Sequence, residues 1–107
     1  MNNVFTVMGY KVYAEFAKYT DGDAKAIRLV IAENSEDAFM GEPFCMVTVN
    51  IPGVELKENE VLAKTWSENE QIYKELVAKG FLKPTGVVAQ TGHTFAAVCV
   101  ANFPGQE

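Results

Sequence analysis

The chain has 107 residues, of which 49% are hydrophobic, which is enough for one domain with a packed core and too little for two. Fourteen acidic and nine basic residues give a net charge of −5, so the chain lacks the excess of positive charge that direct binding to nucleic acid requires. The start of the chain does not predict a signal peptide, and no run of eighteen apolar residues predicts a membrane span, so we expect a cytoplasmic protein.

The first third of the chain predicts β-strands. Residues 4–8 and 11–19 are rich in β-branched and aromatic side chains on either side of Gly9, which is typical of two strands or of one strand with a bend. Residues 20–23, Thr-Asp-Gly-Asp, predict a turn, because the glycine provides a positive φ without steric cost. Residues 24–33 predict the strand that completes a hairpin.

The middle of the chain predicts a loop, a strand and a polar connection. Residues 34–43 have no helical period and end in Gly-Glu-Pro, so we expect a loop there. Residues 44–51 alternate in polarity and predict the clearest strand, which ends at the Pro-Gly pair of residues 52–53. After the polar residues 54–60, residues 61–66 predict an edge strand or an extended approach to the following helix.

One long helix is predicted over residues 67–79. The sequence Ser-Glu-Asn-Glu at its start is a capping box, in which the hydroxyl of Ser67 accepts from the amide of Glu70 and the Glu70 carboxylate accepts in return. Gly80 is placed to end the helix in the left-handed conformation, with Phe81 folded back as in a Schellman motif. The carboxylates of this segment are therefore explained by helix capping and not by catalysis.

The remainder of the chain predicts a turn and two strands. Residues 81–86 predict the turn, and residues 87–91 and 95–103 predict strands around a Gly-His turn. We therefore expect a single small α+β domain over residues 1–107. Its mostly antiparallel β-sheet of six or seven strands would pack against the one long α-helix.

The sequence offers little for catalysis. It contains none of the short motifs of nucleotide-binding, zinc-hydrolase or serine-hydrolase sites. Cys45 and Cys99 lie within apolar alternating runs, which is typical of buried reduced thiols. His93 would be a general base for a cysteine only in a geometry that the sequence does not show. Asp21 and Asp23 lack the spaced ligands of a calcium loop. We assign no catalytic residue, no metal site and no cofactor.

Negative charge is concentrated in the middle of the chain. Residues 33–70 contain nine acids and two lysines, a balance of −7, and the rest of the chain has a balance of +2. If the loops share one side of the sheet, they present a negative field that steers the protein toward a basic surface. The alternative is a solvated acidic surface that only keeps the protein soluble. The candidate partner-binding residues are Glu33, Glu36, Asp37, Glu42, Glu55, Glu58 and Glu60.

Four segments resemble a known family of small domains of unknown function, encoded on phages, plasmids and conjugative elements. The segments are FCMVTVNIPG (44–53), EVLAKTWSENE (60–70), GFLKPTG (80–86) and TGHTFAAVCVAN (91–102). The resemblance covers roughly residues 10 to 102. The chain departs from it at Trp66, where tyrosine is expected, and at His93, where an aromatic residue is usual. The family brings no catalytic residues to carry over.

The resemblance implies a mobile-element context, in which small acidic proteins often block a host defence complex. We therefore expect a non-enzymatic inhibitor of the anti-CRISPR or anti-restriction kind in the cytoplasm of a bacterial host. Its partner would be a host protein or ribonucleoprotein complex with a basic surface, and neither free nucleic acid nor a membrane. The alternative is an accessory interaction module that homodimerises through an exposed sheet edge and has no inhibitory target. A minor enzyme that uses His93 and a cysteine is a third hypothesis.

Overall fold

The computed structural model describes residues 3–20 and 24–106, which form two antiparallel β-sheets and one short helix. The elements are β1 (Phe5–Val7), β2 (Tyr10–Lys18), β3 (Lys25–Ile31), β4 (Pro43–Met46), β5 (Glu60–Ala63), α1 (Asn69–Ala78), β6 (Leu82–Thr91) and β7 (Thr94–Ala101). The strand order is β1-β2-β3-β4 in one sheet and β5-β7-β6 in the other. Most of the turn predicted over residues 20–23 lies outside the described residues.

The predicted α+β architecture of one sheet against one long helix is wrong. The fold is mostly β, with two sheets, and α1 has ten residues. Ser67 has a φ of +59° and lies outside the helix, so the predicted capping box does not form. A capping side chain needs an extended backbone at the N-cap. That position is Glu68, whose backbone is helical at φ −63° and whose side chain makes no cap.

A single extended segment joins the two sheets, which is why the predicted strand over residues 44–51 divides. Its first part is β4, which pairs with β3. At Val47 the amide still donates to the carbonyl of Ile27 in β3 at 2.9 Å, whereas the carbonyl accepts from Lys64, directly after β5, at 2.9 Å. Val49 then pairs with β5 through its own amide. The chain therefore leaves one sheet and enters the other within three residues.

Thr48 is buried where the chain changes sheets, although the alternation of polarity predicts it on the polar face of its strand. Its side chain is 1% exposed. The Thr48 hydroxyl accepts from the amide of Ile27 at 3.1 Å and forms a second hydrogen bond with the Tyr19 hydroxyl at 3.1 Å. A side-chain oxygen thus satisfies a buried backbone amide that would otherwise have no partner.

The main core lies between the two sheets and beneath α1. It contains Leu29 of β3, Val61 of β5, Cys99 of β7 and both buried side chains of the helix, Ile72 and Leu76. A second, smaller core covers the opposite face of the three-stranded sheet. It contains Leu62, Ala96 and Val98, against which Val49, Ile51, Val54, Leu56, Trp66 and Ala89 pack.

The predicted end of the helix is confirmed. Gly80 has a φ of +81° and its amide donates to Val77, while the amide of Phe81 donates to Leu76, each at 3.0 Å. These two bonds define a Schellman motif. The ring of Phe81 then packs edge-on against Phe5, with centroids 4.8 Å apart, and so attaches the helix end to β1.

Directly after this motif, the turn predicted over residues 81–86 is wrong. These residues are mostly the first half of β6, which accommodates Pro84 beside a register shift relative to β7. Proline is compatible with a strand at such an irregularity and at a sheet edge, and β6 is an edge strand.

We predict that Gly80→Ala lowers the free energy of unfolding by about 1 kcal/mol, because an L-residue is strained in the left-handed region. A Cβ at this position meets no atom within 4 Å, so the loss comes from the backbone alone. Urea unfolding would show a lower midpoint with an unchanged slope. Lys79→Ala, whose φ is −81°, is the control and should change stability little. Equal midpoints for the two variants would contradict the assignment.

We predict that Thr48→Val destabilises the fold by about 2 kcal/mol, because the amide of Ile27 loses its acceptor inside the core. Hydrogen exchange at the Ile27 amide, measured together with urea unfolding, tests this. Thr48→Ser keeps the acceptor and should leave that amide protected. An Ile27 amide that stays protected in Thr48→Val would show that the hydroxyl is not its partner.

Candidate protein-binding surface

The loop between β3 and β4 presents two large apolar side chains to solvent. We call residues 33–42 the acidic loop. Phe39 is 71% exposed and Met40 is 63% exposed, whereas Ala38, immediately before them, is buried in the main core. Large apolar side chains that are adjacent and exposed on a soluble protein indicate an interaction site more often than isolated ones do.

We call Phe39 and Met40 the apolar tip. Hydrogen bonds within the acidic loop fix its position. The amide of Ser35 donates to the carbonyl of Ala38 at 2.8 Å, and the amide of Met40 donates to the side-chain oxygen of Asn34 at 2.8 Å. The amide of Gly41 donates to β3 at 2.9 Å. Because the backbone is already held in one conformation, binding a partner would cost little ordering entropy.

Four of the seven predicted carboxylates lie in the same loop as the apolar tip. All four are exposed, and they are Glu33, Glu36, Asp37 and Glu42. Asp37 accepts from the Tyr10 hydroxyl at 2.7 Å, and this hydrogen bond raises the pKa of Tyr10. Glu42 accepts from the backbone amide of Phe39. Within the described ranges none of the four forms an ion pair. No direct ion pair therefore neutralises their negative charge in the described structure.

The other three predicted carboxylates lie at the opposite end of the four-stranded sheet. Glu55 and Glu58 are exposed in the connection before β5. Glu60 is half-buried in β5 and accepts from the amide of Lys57 at 2.9 Å. The chain enters this connection soon after Val47, which is hydrogen-bonded near the start of β3. The acidic loop, in contrast, begins at the end of β3. The seven residues of β3 separate the two groups by about 20 Å.

The surroundings of the two carboxylate groups also differ. Glu58 lines a cleft of about 420 Å³ together with Lys18 and Lys25. In contrast, residues 29–56 contain no lysine or arginine. The nearest lysine across the sheet is Lys11, whose carbonyl accepts from the amide of Ala32, and it forms no ion pair with the acidic loop in the described structure. The acidic loop is therefore the stronger candidate for attracting a basic partner.

Phe39 and Met40 were not predicted as functional residues from the sequence. A signal was present, because two large apolar residues stand side by side in a polar segment without the period of a helix or a strand. Such residues have no predicted core face to join. Their exposure is the observation that distinguishes this loop from an ordinary solvated one.

The side chains considered for catalysis lie apart from one another. Cys99 is fully buried in β7, with its sulfur 3.9 Å from the Tyr73 hydroxyl, and Cys45 is partly buried in β4. Burial raises the pKa of Cys45 to about 11 and that of Tyr73 to about 12, and it also raises the pKa of Cys99. His93 is exposed at the turn between β6 and β7. It is about 20 Å from Cys99 along the extended strand, so these two do not form a nucleophile–base pair.

The described residues, 3–20 and 24–106, contain neither a cluster of metal ligands nor a helix that could span a membrane. Within these ranges no three His, Cys, Asp or Glu side chains come together in a geometry that could hold a metal ion. Asp21 and Asp23 of the predicted turn are outside the described residues. Over the same ranges, no helix has both the length and the apolar character needed to span a bilayer.

We predict that iodoacetamide alkylates Cys45 about 100-fold more slowly in the folded protein at pH 8 than in urea. The reason is that raising the pKa from 9.0 to about 11 reduces the reactive thiolate by that factor. The raised pKa also stabilises the fold below pH 9, and this contribution is lost as the pH rises through about 11. Peptide mass spectrometry measures the labelling, and Cys45→Ser should remove its part of the alkaline loss of stability. Equal labelling rates in both states would contradict the prediction.

A comparison with known families supports one part of the resemblance, namely that the chain is a domain of unknown function. Residues 13–103 match the family described as a domain of unknown function, DUF4313. No curated protein and no solved structure matches the chain. The family description carries no residue roles, so the candidate surface rests on the geometry above. Because the match spans more than four fifths of the 107 residues, the chain belongs to the DUF4313 family of domains of unknown function.

Proposed function

We propose that this protein is a non-enzymatic binding protein whose acidic loop docks onto a basic surface of a partner protein or ribonucleoprotein complex. The observation that carries the proposal is the exposed pair Phe39 and Met40, in a loop with four exposed carboxylates that form no ion pair in the described structure. An apolar centre with a charged rim is the usual anatomy of a protein interface, and aromatic residues and methionine are enriched at such centres.

The apolar tip and the carboxylates have different physical roles in this proposal. Burying the Phe39 side chain contributes about 2 kcal/mol, which is a factor of about 30 in the dissociation constant. The carboxylates increase the rate of association with a basic surface and disfavour acidic partners, and their effect is screened by salt. The apolar tip therefore contributes most of the affinity, and the four carboxylates of the acidic loop determine the preference for a basic partner.

We further propose that the partner is a bacterial defence complex that handles nucleic acid, bound in the cytoplasm of a bacterial host. A complex that holds nucleic acid must present lysine and arginine side chains to phosphates. The acidic loop offers carboxylates to such a surface. The resemblance to domains encoded on mobile elements supports the same partner class, in which occupation of the groove would inhibit the complex.

Affinity capture from host lysate, followed by mass spectrometry, tests the surface with two matched charge variants. Glu33→Lys/Glu36→Lys changes the acidic loop, and Glu55→Lys/Glu58→Lys makes the same change of charge at the opposite end of the sheet. We expect the first pair to reduce capture at least about tenfold and the second pair to leave it nearly unchanged. Phe39→Ser should weaken capture by about 30-fold. The loss in the charge variant should depend on salt concentration, whereas the loss in Phe39→Ser should not.

The inhibitory role is tested separately, by measuring phage plating. Expression of the wild-type protein should raise phage plating on a strain with an active CRISPR or restriction system, and Phe39→Ser should not. Heparin, a polyanion, should displace the protein from the captured complex if a nucleic-acid groove is the binding site. An identical set of captured proteins for all variants would refute docking through the acidic loop. Unchanged plating with intact capture would refute only the anti-defence role.

A further inference from the structure

Within the described residues, β6 is the long sheet edge that no other segment covers. The edge of β5 pairs with residues 47–49, and the edge strand β4 has only four residues. The edge strand β1 has three residues, and the Met8 amide after it donates to the Glu75 carboxylate of α1 at 3.0 Å. The ten residues of β6 have β7 on one side only, and residues 83–88 are all exposed.

The first half of β6 is protected against pairing with another strand, and the second half is not. Pro84 has no amide to donate, and the register with β7 shifts between Pro84 and Val88. From Val88 to Thr91 the strand pairs regularly with β7 and has neither proline nor bulge. Sheet edges in soluble monomers usually carry a charge, a proline or a bulge to prevent association.

The hairpin formed by β6 and β7 carries no charged side chain from Pro84 to Ala101. Residues 84–106 contain no Asp, Glu, Lys or Arg, whereas the whole chain has a net charge of −5. Two copies that approach through their acidic loops repel each other, and two copies that approach through β6 do not. The charge distribution therefore favours a second copy of the chain as the occupant of this edge.

Exposed apolar side chains line the same part of the hairpin. Val88 is 59% exposed and Phe95 is 51% exposed. Val88 lies opposite Ala97 and Phe95 lies opposite Gln90, so Val88 and Phe95 share one face of the sheet. Val87, also exposed, lies on the opposite face.

We propose that two copies associate by antiparallel pairing of their β6 strands over residues 87–91. The product is a continuous six-stranded sheet with the order β5-β7-β6-β6-β7-β5. A two-fold axis perpendicular to the sheet makes each copy the complement of the other and brings Val88 and Phe95 of both copies onto one face. The acidic loops belong to the other sheet and stay available to a partner.

The expected dimer is reversible. Pairing over five residues per chain, with a few apolar side chains, lies at the small end of specific interfaces. We therefore expect a dissociation constant on the order of 10 µM. The dimer would carry two acidic loops, which would strengthen binding to any partner with two basic sites.

Sedimentation velocity of the full chain over a range from about 1 µM to 500 µM tests the proposal. We expect the apparent mass to rise from 11.8 kDa toward twice that value with concentration. Val88→Lys should remain a monomer throughout, because it places two like charges across the two-fold axis. Met40→Lys is the matched control, since it makes the same change of charge at an equally exposed apolar residue of the acidic loop. It should dimerise like the wild type.

Hydrogen exchange on the wild-type protein gives a second test that needs no variant. Amides of residues 87–91 should become more protected as the concentration rises, and those of the acidic loop should not. A monomeric mass at every concentration would overturn the proposal. It would also be overturned by a dimer that persists in Val88→Lys, or by concentration-dependent protection located elsewhere. These outcomes do not depend on capture of a host partner.

Discussion

The fold depends on the change of sheet at residues 47–49. Within three residues the backbone leaves β3 and pairs with β5, and the buried Thr48 hydroxyl satisfies the Ile27 amide at the point where the strand ladder stops. An unpaired amide in the core would be costly, so this hydroxyl stabilises the point where the sheets meet. The join covers the edge of β5 and leaves the edge of β6 open.

The same join separates two surfaces of opposite character. The acidic loop lies at one end of the four-stranded sheet and combines exposed carboxylates with an exposed apolar tip. The hairpin of β6 and β7 belongs to the other sheet and is uncharged from residue 84 onward. Charged and neutral surfaces attract different partners, because like charges repel across an interface and neutral strand edges pair through backbone hydrogen bonds. The two proposed interactions therefore use separate parts of the molecule and can coexist.

A short sequence motif predicts the structure correctly in this protein where interactions between neighbouring residues determine the backbone conformation. The Schellman end at Gly80 forms as predicted because the left-handed conformation is cheap for glycine. The start of the helix does not follow its motif, because Ser67 is held in a left-handed conformation that cannot place its hydroxyl as a cap. Pro84 suggested a turn, although an edge strand with a register shift accommodates it equally well.

By itself, the sequence determined the approximate positions of the strands and most of the helix, the end of that helix, and the excess of acidic residues in the middle of the chain. Only the tertiary structure decided that the strands form two sheets, that the carboxylates divide into two groups, and that Phe39 and Met40 are exposed at the centre of one group. The physical reason is that propensity, periodicity and turn chemistry act over a few residues. The pairing of strands and the direction in which each loop projects depend on contacts between residues far apart in the chain.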